Sequence, residues 1–129
     1  MTRRVRGAAE RGSFSLELAV LAPALLLVIS FIISVGRVTE GRALTEGAVR
    51  DAARAATINH AGNAEAAARA AYTAATKGHD CTLVQIDPRV PVPGGTVTVV
   101  AYCNVKTLWG TQKITRTSVS AVDIYRGTT

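Results

Sequence analysis

Side chains that could do chemistry are few in this sequence: two cysteines, Cys81 and Cys103, two histidines, His60 and His79, and a scattering of carboxylates. The run His79-Asp80-Cys81 brings an imidazole and a thiol together, the pair a cysteine nucleophile needs. Residues adjacent in sequence rarely adopt that geometry, and a cysteine held in a disulfide cannot attack. The two histidines fall near breaks in the pattern and no ligand spacing repeats, so no metal site and no cofactor are expected, and both imidazoles should be solvated. A disulfide between Cys81 and Cys103 is the better use of the thiols. It would close a loop of roughly 23 residues and stabilise the fold by about 3 kcal/mol in the chain-entropy model. The alternative is two buried free thiols. One carboxylate stands apart from the rest: Glu17 sits at the start of a long apolar run.

The elements that position these groups begin with that run. Residues 18–35 read LAVLAPALLLVISFIISV, without a charge. A bilayer core about 30 Å thick takes roughly twenty apolar residues as helix. Extending the run back through Phe14 and Leu16 reaches that length and brings Glu17 inside, so residues 13–36 are read as a transmembrane helix. Arg3, Arg4, Arg6 and Arg11 precede it, and Arg37, Arg42 and Arg50, interleaved with Glu40, Glu46 and Asp51, follow it. Basic flanks stay cytoplasmic, so the denser N-terminal cluster points to an N-terminus inside and a C-terminal part outside the cytoplasm, where disulfides persist. The net charge of the chain is +6; residues 1–12 account for half of that excess. The remaining basic residues are scattered singly, which is not a nucleic-acid footprint. A removable secretory signal is the rival reading, since Ser34-Val35-Gly36 has the small-x-small form of a cleavage site. The apolar stretch is, however, longer than the about 7–15 residues usual in such signals. With 129 residues, 48% hydrophobic but only 5% aromatic, and so much of the apolar content in one run, the chain has no room for a large α/β enzyme core. It is expected not to be an enzyme.

The residues around Glu17 carry a resemblance. The segment Arg11–Ala19 reads RGSFSLELA: a basic leader ends in Gly12, Ser13 follows, and Glu17 is the fifth residue counted from Ser13. This resembles the leader of type IV prepilins and pseudopilins. Pro23 follows six residues after Glu17, Gly36-Arg37 ends the run, and AVRDAARAA occupies residues 48–56. In that order the pattern is similar to the TadE-like family, the minor pseudopilins of Tad/Flp pilus systems, over residues 10–57. The resemblance implies a structural subunit of a type IV pilus-like apparatus in the cell envelope, cut by a prepilin peptidase between Gly12 and Ser13 on the cytoplasmic side. It implies partners among other pilins, pseudopilins and Tad assembly proteins besides membrane lipid, and incorporation into a surface pilus. In an assembled filament Glu17 would pair with the new Ser13 amine of an adjacent subunit; a paired charge is tolerated in a dry setting where a lone one is costly. Ser13 stands where the family often has Phe, which bears on methylation of that amine. Pro23 frees a backbone carbonyl and is expected to kink the helix, either as a harmless local bend or as an aid to extraction from the bilayer. Outside the resemblance, a permanently anchored or a secreted small extracytoplasmic binding protein is the alternative.

Beyond the membrane the pattern alone speaks. Residues 37–57 contain no proline and are rich in Ala, the strongest helix former, so the helix should continue as a stem. Val38, Leu44, Ala48, Val49, Ala52 and Ala56 make a shallow apolar stripe that either carries the chain's own head or lines a filament core. Gly41 and Gly47 are candidate bends. Residues 59–63 break the helix; Asn63 is a candidate N-cap for a second helix over 64–76, with Gly78 as its C-cap. From Cys81 the period turns to two. Strands are expected over 81–87, 96–105 and 113–125, with a proline-rich loop at 88–95, a turn from Thr107 to Gln112, and Ile114, Val122 and Ile124 on one face. Trp109 should pack on the head, or else stand out as an adhesive aromatic. The expected architecture is α+β: a basic leader (1–12), a transmembrane helix (13–36), a helical stem (37–57), and a head (58–129) holding a short helix and about three antiparallel strands.

Overall fold

The computed structural model describes residues 8–59 and 62–124, with side chains from Ser15 onward. Five elements follow one another: α1 (Ala8–Ile58), α2 (Ala64–Ala75), β1 (Asp80–Asp87), β2 (Thr96–Thr107) and β3 (Gly110–Ala121). The strands form one antiparallel sheet in the order β1-β2-β3. This is the long helix, short helix and three-stranded sheet expected from the pattern. The chain divides into two compact units, residues 1–35 and residues 36–129.

In the first unit α1 is almost wholly uncovered. Its thirteen large apolar side chains from Leu16 to Val35 are 43–72% exposed. The two hydroxyls in the run do not add unsatisfied donors: Ser30 Oγ donates to the Leu26 carbonyl at 2.8 Å and Ser34 Oγ to the Ser30 carbonyl at 2.9 Å. Such back-bonding lets a hydroxyl sit in a medium with no water to pair it. Helical assignment runs on through Pro23.

In the second unit α1 buries one stripe. Gly41, Thr45, Ala48, Val49, Ala52, Ala53 and Ala56 recur at steps of three and four and are all buried. The Thr45 hydroxyl donates to the Gly41 carbonyl at 2.6 Å, so this polar residue costs the interior little. From Ala48 onward the stripe shares one core with Ala64, Ala68 and Tyr72 of α2 and with Leu83, Ile86, Val97, Val99, Ala101 and Val122. The stripe is therefore taken by the chain's own head from residue 41 to 56. Small residues on this face let the sheet come close; large ones would hold it off.

Alternation sets the inner face of the sheet. On β2 Val97, Val99, Ala101 and Cys103 point in. On β1 the inward set runs Leu83 and then Ile86, an odd step made possible by a register shift between Leu83 and Gln85. The extra residue of that bulge, Val84, is exposed. On β3 Ile114 and, just past its end, Val122 are buried, whereas Ile124 lies outside the strand and is exposed.

Several local expectations are corrected. Asn63 occupies the N-cap position of α2 but its side chain makes no capping bond. The C-cap is Thr76, whose amide donates to the Tyr72 carbonyl at 3.0 Å. Gly78 comes two residues later at φ +84°, turning the chain toward β1. The turn expected between Thr107 and Gln112 shrinks to Leu108-Trp109, because β2 and β3 pair without a break from Thr96↔Ala121 to Thr107↔Gly110. Gly110, at φ +138°, supplies the backbone conformation that a branched residue there would resist. His60 and Tyr125 lie outside the described residues.

Candidate assembly site

The residues singled out for assembly lie along the first turns of α1. Gly12 and Ser13 are within the helix, and of their side chains nothing is described; residues 1–7 of the leader lie outside the described residues. Glu17 is exposed, one helical turn beyond Ser13, and starts the apolar surface between Leu16 and Leu18. It makes no hydrogen bond or ion pair with any described residue. Pro23 follows on the same uncovered helix. What this arrangement offers chemically is a carboxylate on an apolar cylinder, with the start of the helix close by.

The second unit holds the remaining candidates. Cys81 and Cys103 face each other across β1 and β2 and are joined as a disulfide. The thiol of the His79-Asp80-Cys81 run is thus consumed, and His79 is exposed. Among the described residues there is no group of three or more His, Cys, Asp or Glu side chains placed to hold a metal ion. Beside the disulfide Tyr72 donates its hydroxyl to the Tyr102 carbonyl at 3.2 Å and lies 3.6 Å from Cys103 Sγ. Burial, and to a lesser degree the neighbouring Tyr102, push the Tyr72 phenol up to about 12. On the solvent side of α2 the Arg69 guanidinium holds Glu65 below the usual carboxylate range, with bonds of 2.8 and 3.1 Å to Oε1.

A cleft of about 470 Å³ opens where the stem meets the end of β2, lined by Arg37, Glu40, His79, Asp80, Asn104 and Lys106 among others. Two hydrogen bonds cross it. Arg37 donates to the Lys106 carbonyl at 3.5 Å, and the Asn104 amide donates to Asp80 Oδ2 at 3.0 Å.

Comparison with known protein families bears on this geometry. Residues 12–54 match the TadE-like protein family. The match begins at Gly12, takes in Glu17 and Pro23, and ends in the alanine stripe of the stem, covering a third of the chain. Neither a curated protein nor a solved structure matches the chain. The alanines and arginines of the AVRDAARAA stretch, matched as far as Arg54, acquire separate meanings in the fold: Ala48, Ala52, Ala53 and, just past the match, Ala56 are buried against the head, while Arg50 and Arg54 are exposed. Arg50 pairs with Glu46 one turn earlier.

Two features escaped sequence reasoning. Gly41 is buried against Val105 and Ile114, with no room for a Cβ; a lone glycine in a helical stretch gives no sign of what crosses it. Trp109 is 69% exposed instead of packed on the head, because it sits at the tip of a two-residue turn.

Proposed function

We propose that the protein is a TadE-like pseudopilin, a non-enzymatic structural subunit of a Tad/Flp-type, type IV pilus-like apparatus of the cell envelope. It enters the cytoplasmic membrane through α1 with its N-terminus inside and its head outside. A prepilin peptidase cuts between Gly12 and Ser13. Glu17 then registers the subunit by pairing with the Ser13 amine of a neighbour, and Pro23 bends the helix near that packing zone. Residues 1–12 act as leader, 13–36 as the membrane segment, 37–57 as stem and 58–129 as head.

The observation that carries this reading is the start of the family match at Gly12, in the first turns of a helix that goes on to combine a carboxylate with an apolar, uncovered surface. A helix of this kind, with a mean hydropathy of 2.8 in its most apolar window, is long and apolar enough to cross a membrane. A head stapled by a disulfide supports an extracytoplasmic location. The test is the mass of the mature protein in cells with and without a prepilin peptidase. A chain starting at Ser13, and only when the peptidase is present, is expected. A membrane-bound chain that keeps Arg11-Gly12 would replace this reading by that of a permanently anchored protein; a chain starting beyond Gly36 would make it a secreted one.

A further inference from the structure

The β2–β3 hairpin ends in Leu108 and Trp109, which are 56% and 69% exposed. Two adjacent large apolar side chains at the tip of a hairpin are unfavourable in water, and the described residues of their own head leave them largely uncovered. Their place in the head is informative. As β2 advances it passes Gly41, where Val105 and Ile114 of the hairpin lie against the helix, and its next carbonyl, that of Lys106, accepts from Arg37. The hairpin therefore runs toward the start of the stem, and Leu108-Trp109 continue that course. Arg37 is the second residue after the apolar run that ends at Val35. Lys106, exposed, comes just before the tip on β2, and Arg42 is exposed on the stem; Lys113, on β3, holds its Nζ 3.9 Å over the Tyr102 ring. Two acidic residues, Glu40 and Asp80, line the same cleft, and Asp80 accepts from the Asn104 amide.

We infer that the Leu108-Trp109 tip is a membrane-interface anchor, which seats the head on the outer leaflet of the bilayer that α1 crosses. This rests on the membrane reading of α1. Indole is the side chain best suited to the headgroup level, with an apolar body and one N–H for the wet side. Lysine and arginine beside it reach lipid phosphates while their methylenes cover apolar surface. A protein partner of the tip would explain the two exposed side chains as well, but not why the hairpin that carries them meets the stem at Arg37, through the Lys106 carbonyl, just where the chain leaves the apolar run. The anchor fixes how the head stands while the subunit waits in the membrane, and it must be released when the subunit is drawn out.

Trp109 is the single tryptophan of the chain, so its emission reports on the tip alone. The full chain is reconstituted in vesicles of phosphatidylethanolamine and phosphatidylglycerol, in matched sets with acyl chains brominated near the headgroup or near the bilayer centre. A blue-shifted emission, lost mostly to the shallow bromines and protected from iodide, is expected. Emission of a water-exposed indole, open to iodide and indifferent to both brominated lipids, overturns the anchor. So does an indole that iodide reaches in vesicles but that becomes shielded once the subunit is assembled with its apparatus, a result that assigns the tip to a protein partner. A second protein, Trp109→Phe with Phe31→Trp, separates this failure from that of the membrane reading. Quenching of the position-31 indole by the deep bromines keeps α1 in the bilayer whatever Trp109 does; its absence removes the membrane reading and the anchor with it.

Discussion

Two glycines in one helix should answer the same substitution with opposite signs. Gly41 and Gly47 both lie in α1, and replacing glycine by alanine in a helix interior gains about 1 kcal/mol. At Gly47 a Cβ meets nothing within 4 Å, so Gly47→Ala should stabilise the head by about that amount. At Gly41 the new methyl overlaps Val105 Cγ2 and lies 3.2 Å from Ile114 Cδ1. Val105 is β-branched and stiff at χ1, so it cannot swing aside freely; the helix and sheet must part, or the valine must take a poor rotamer. Overpacking of this kind costs about 1–3 kcal/mol, which outweighs the propensity gain and leaves Gly41→Ala destabilising by about 1 kcal/mol. The assay is hydrogen exchange of the β2 amides from Val97 to Cys103 in the full chain held in detergent micelles, which reports the opening free energy of the head. Val105→Ala removes the atom that clashes, so in the double variant most of the Gly41→Ala loss should return, a coupling that a merely general loosening of the helix would not produce. If Gly41→Ala stabilises the head as much as Gly47→Ala does, the close crossing of stem and hairpin is wrong.

The remaining expectations concern assembly, the disulfide and pH. Glu17→Ala should be trimmed after Gly12 like the original chain yet fail to enter the apparatus, scored by N-terminal mass and by recovery in sheared surface fractions; normal recovery would remove the registry role. Replacing Cys81 and Cys103 together by serine should cost about 3 kcal/mol of head stability, measured by urea unfolding, from loop entropy alone. Tyr72 keeps its proton to about pH 12 in the folded head, against about 10 when unfolded. Between those values the folded state holds the extra proton, so stability is intact below about pH 10 and declines as pH rises toward 12. Tyr72→Phe should flatten that part of the alkaline slope in a pH series of melts, at the expense of the hydrogen bond to the Tyr102 carbonyl.

The order and kind of the elements were legible because each is marked by a strong local signal. The unbroken apolar run and the alanine-rich stem read as helix, the β-branched TVTVVAYCNV stretch as strand, and the prolines at 88, 91 and 93 as the loop that indeed fills the gap between Asp87 and Thr96. Their periodicity even placed the stripe of Ala48, Ala52 and Ala56, though not its partner; a stripe of small residues looks the same whether a head or a sister helix covers it. What sequence could not show were relations between elements. The bulge at Val84 arises from pairing with β2, since the residues Leu83-Val84-Gln85 carry no mark of it. The tip at Trp109 is exposed because the strands pair to their ends, and pairing length is set by both strands together. Asn63 shows the converse error: the residue type suits a cap, but the cap is a geometry, and here the side chain does not make the bond.

The uncovered part of α1 narrows what can reward assembly on the proposed reading. Its thirteen large apolar side chains are left largely uncovered by the described residues, so water is the one environment that penalises them heavily, by about 25 cal/mol for each Å² exposed. Lipid and a filament core are nearly alike in this respect, because acyl chains are as apolar as leucine. Moving a subunit from bilayer to filament therefore gains little from hydrophobic burial. The balance must be tipped by groups that distinguish the two surroundings, and along this helix the hydroxyls of Ser30 and Ser34 cannot do so, being bonded to their own backbone in either place. Glu17 can. Near the membrane surface it has water and headgroups; inside a filament it has neither, and needs a cation. If a neighbour's terminal amine is that cation, Glu17→Gln should weaken assembly nearly as much as Glu17→Ala, although glutamine keeps size and hydrogen bonding, because what is lost is the charge pair. Assembly of Glu17→Gln at the original level would show that shape and hydrogen bonding suffice, and that the reward for stacking comes from elsewhere on the helix.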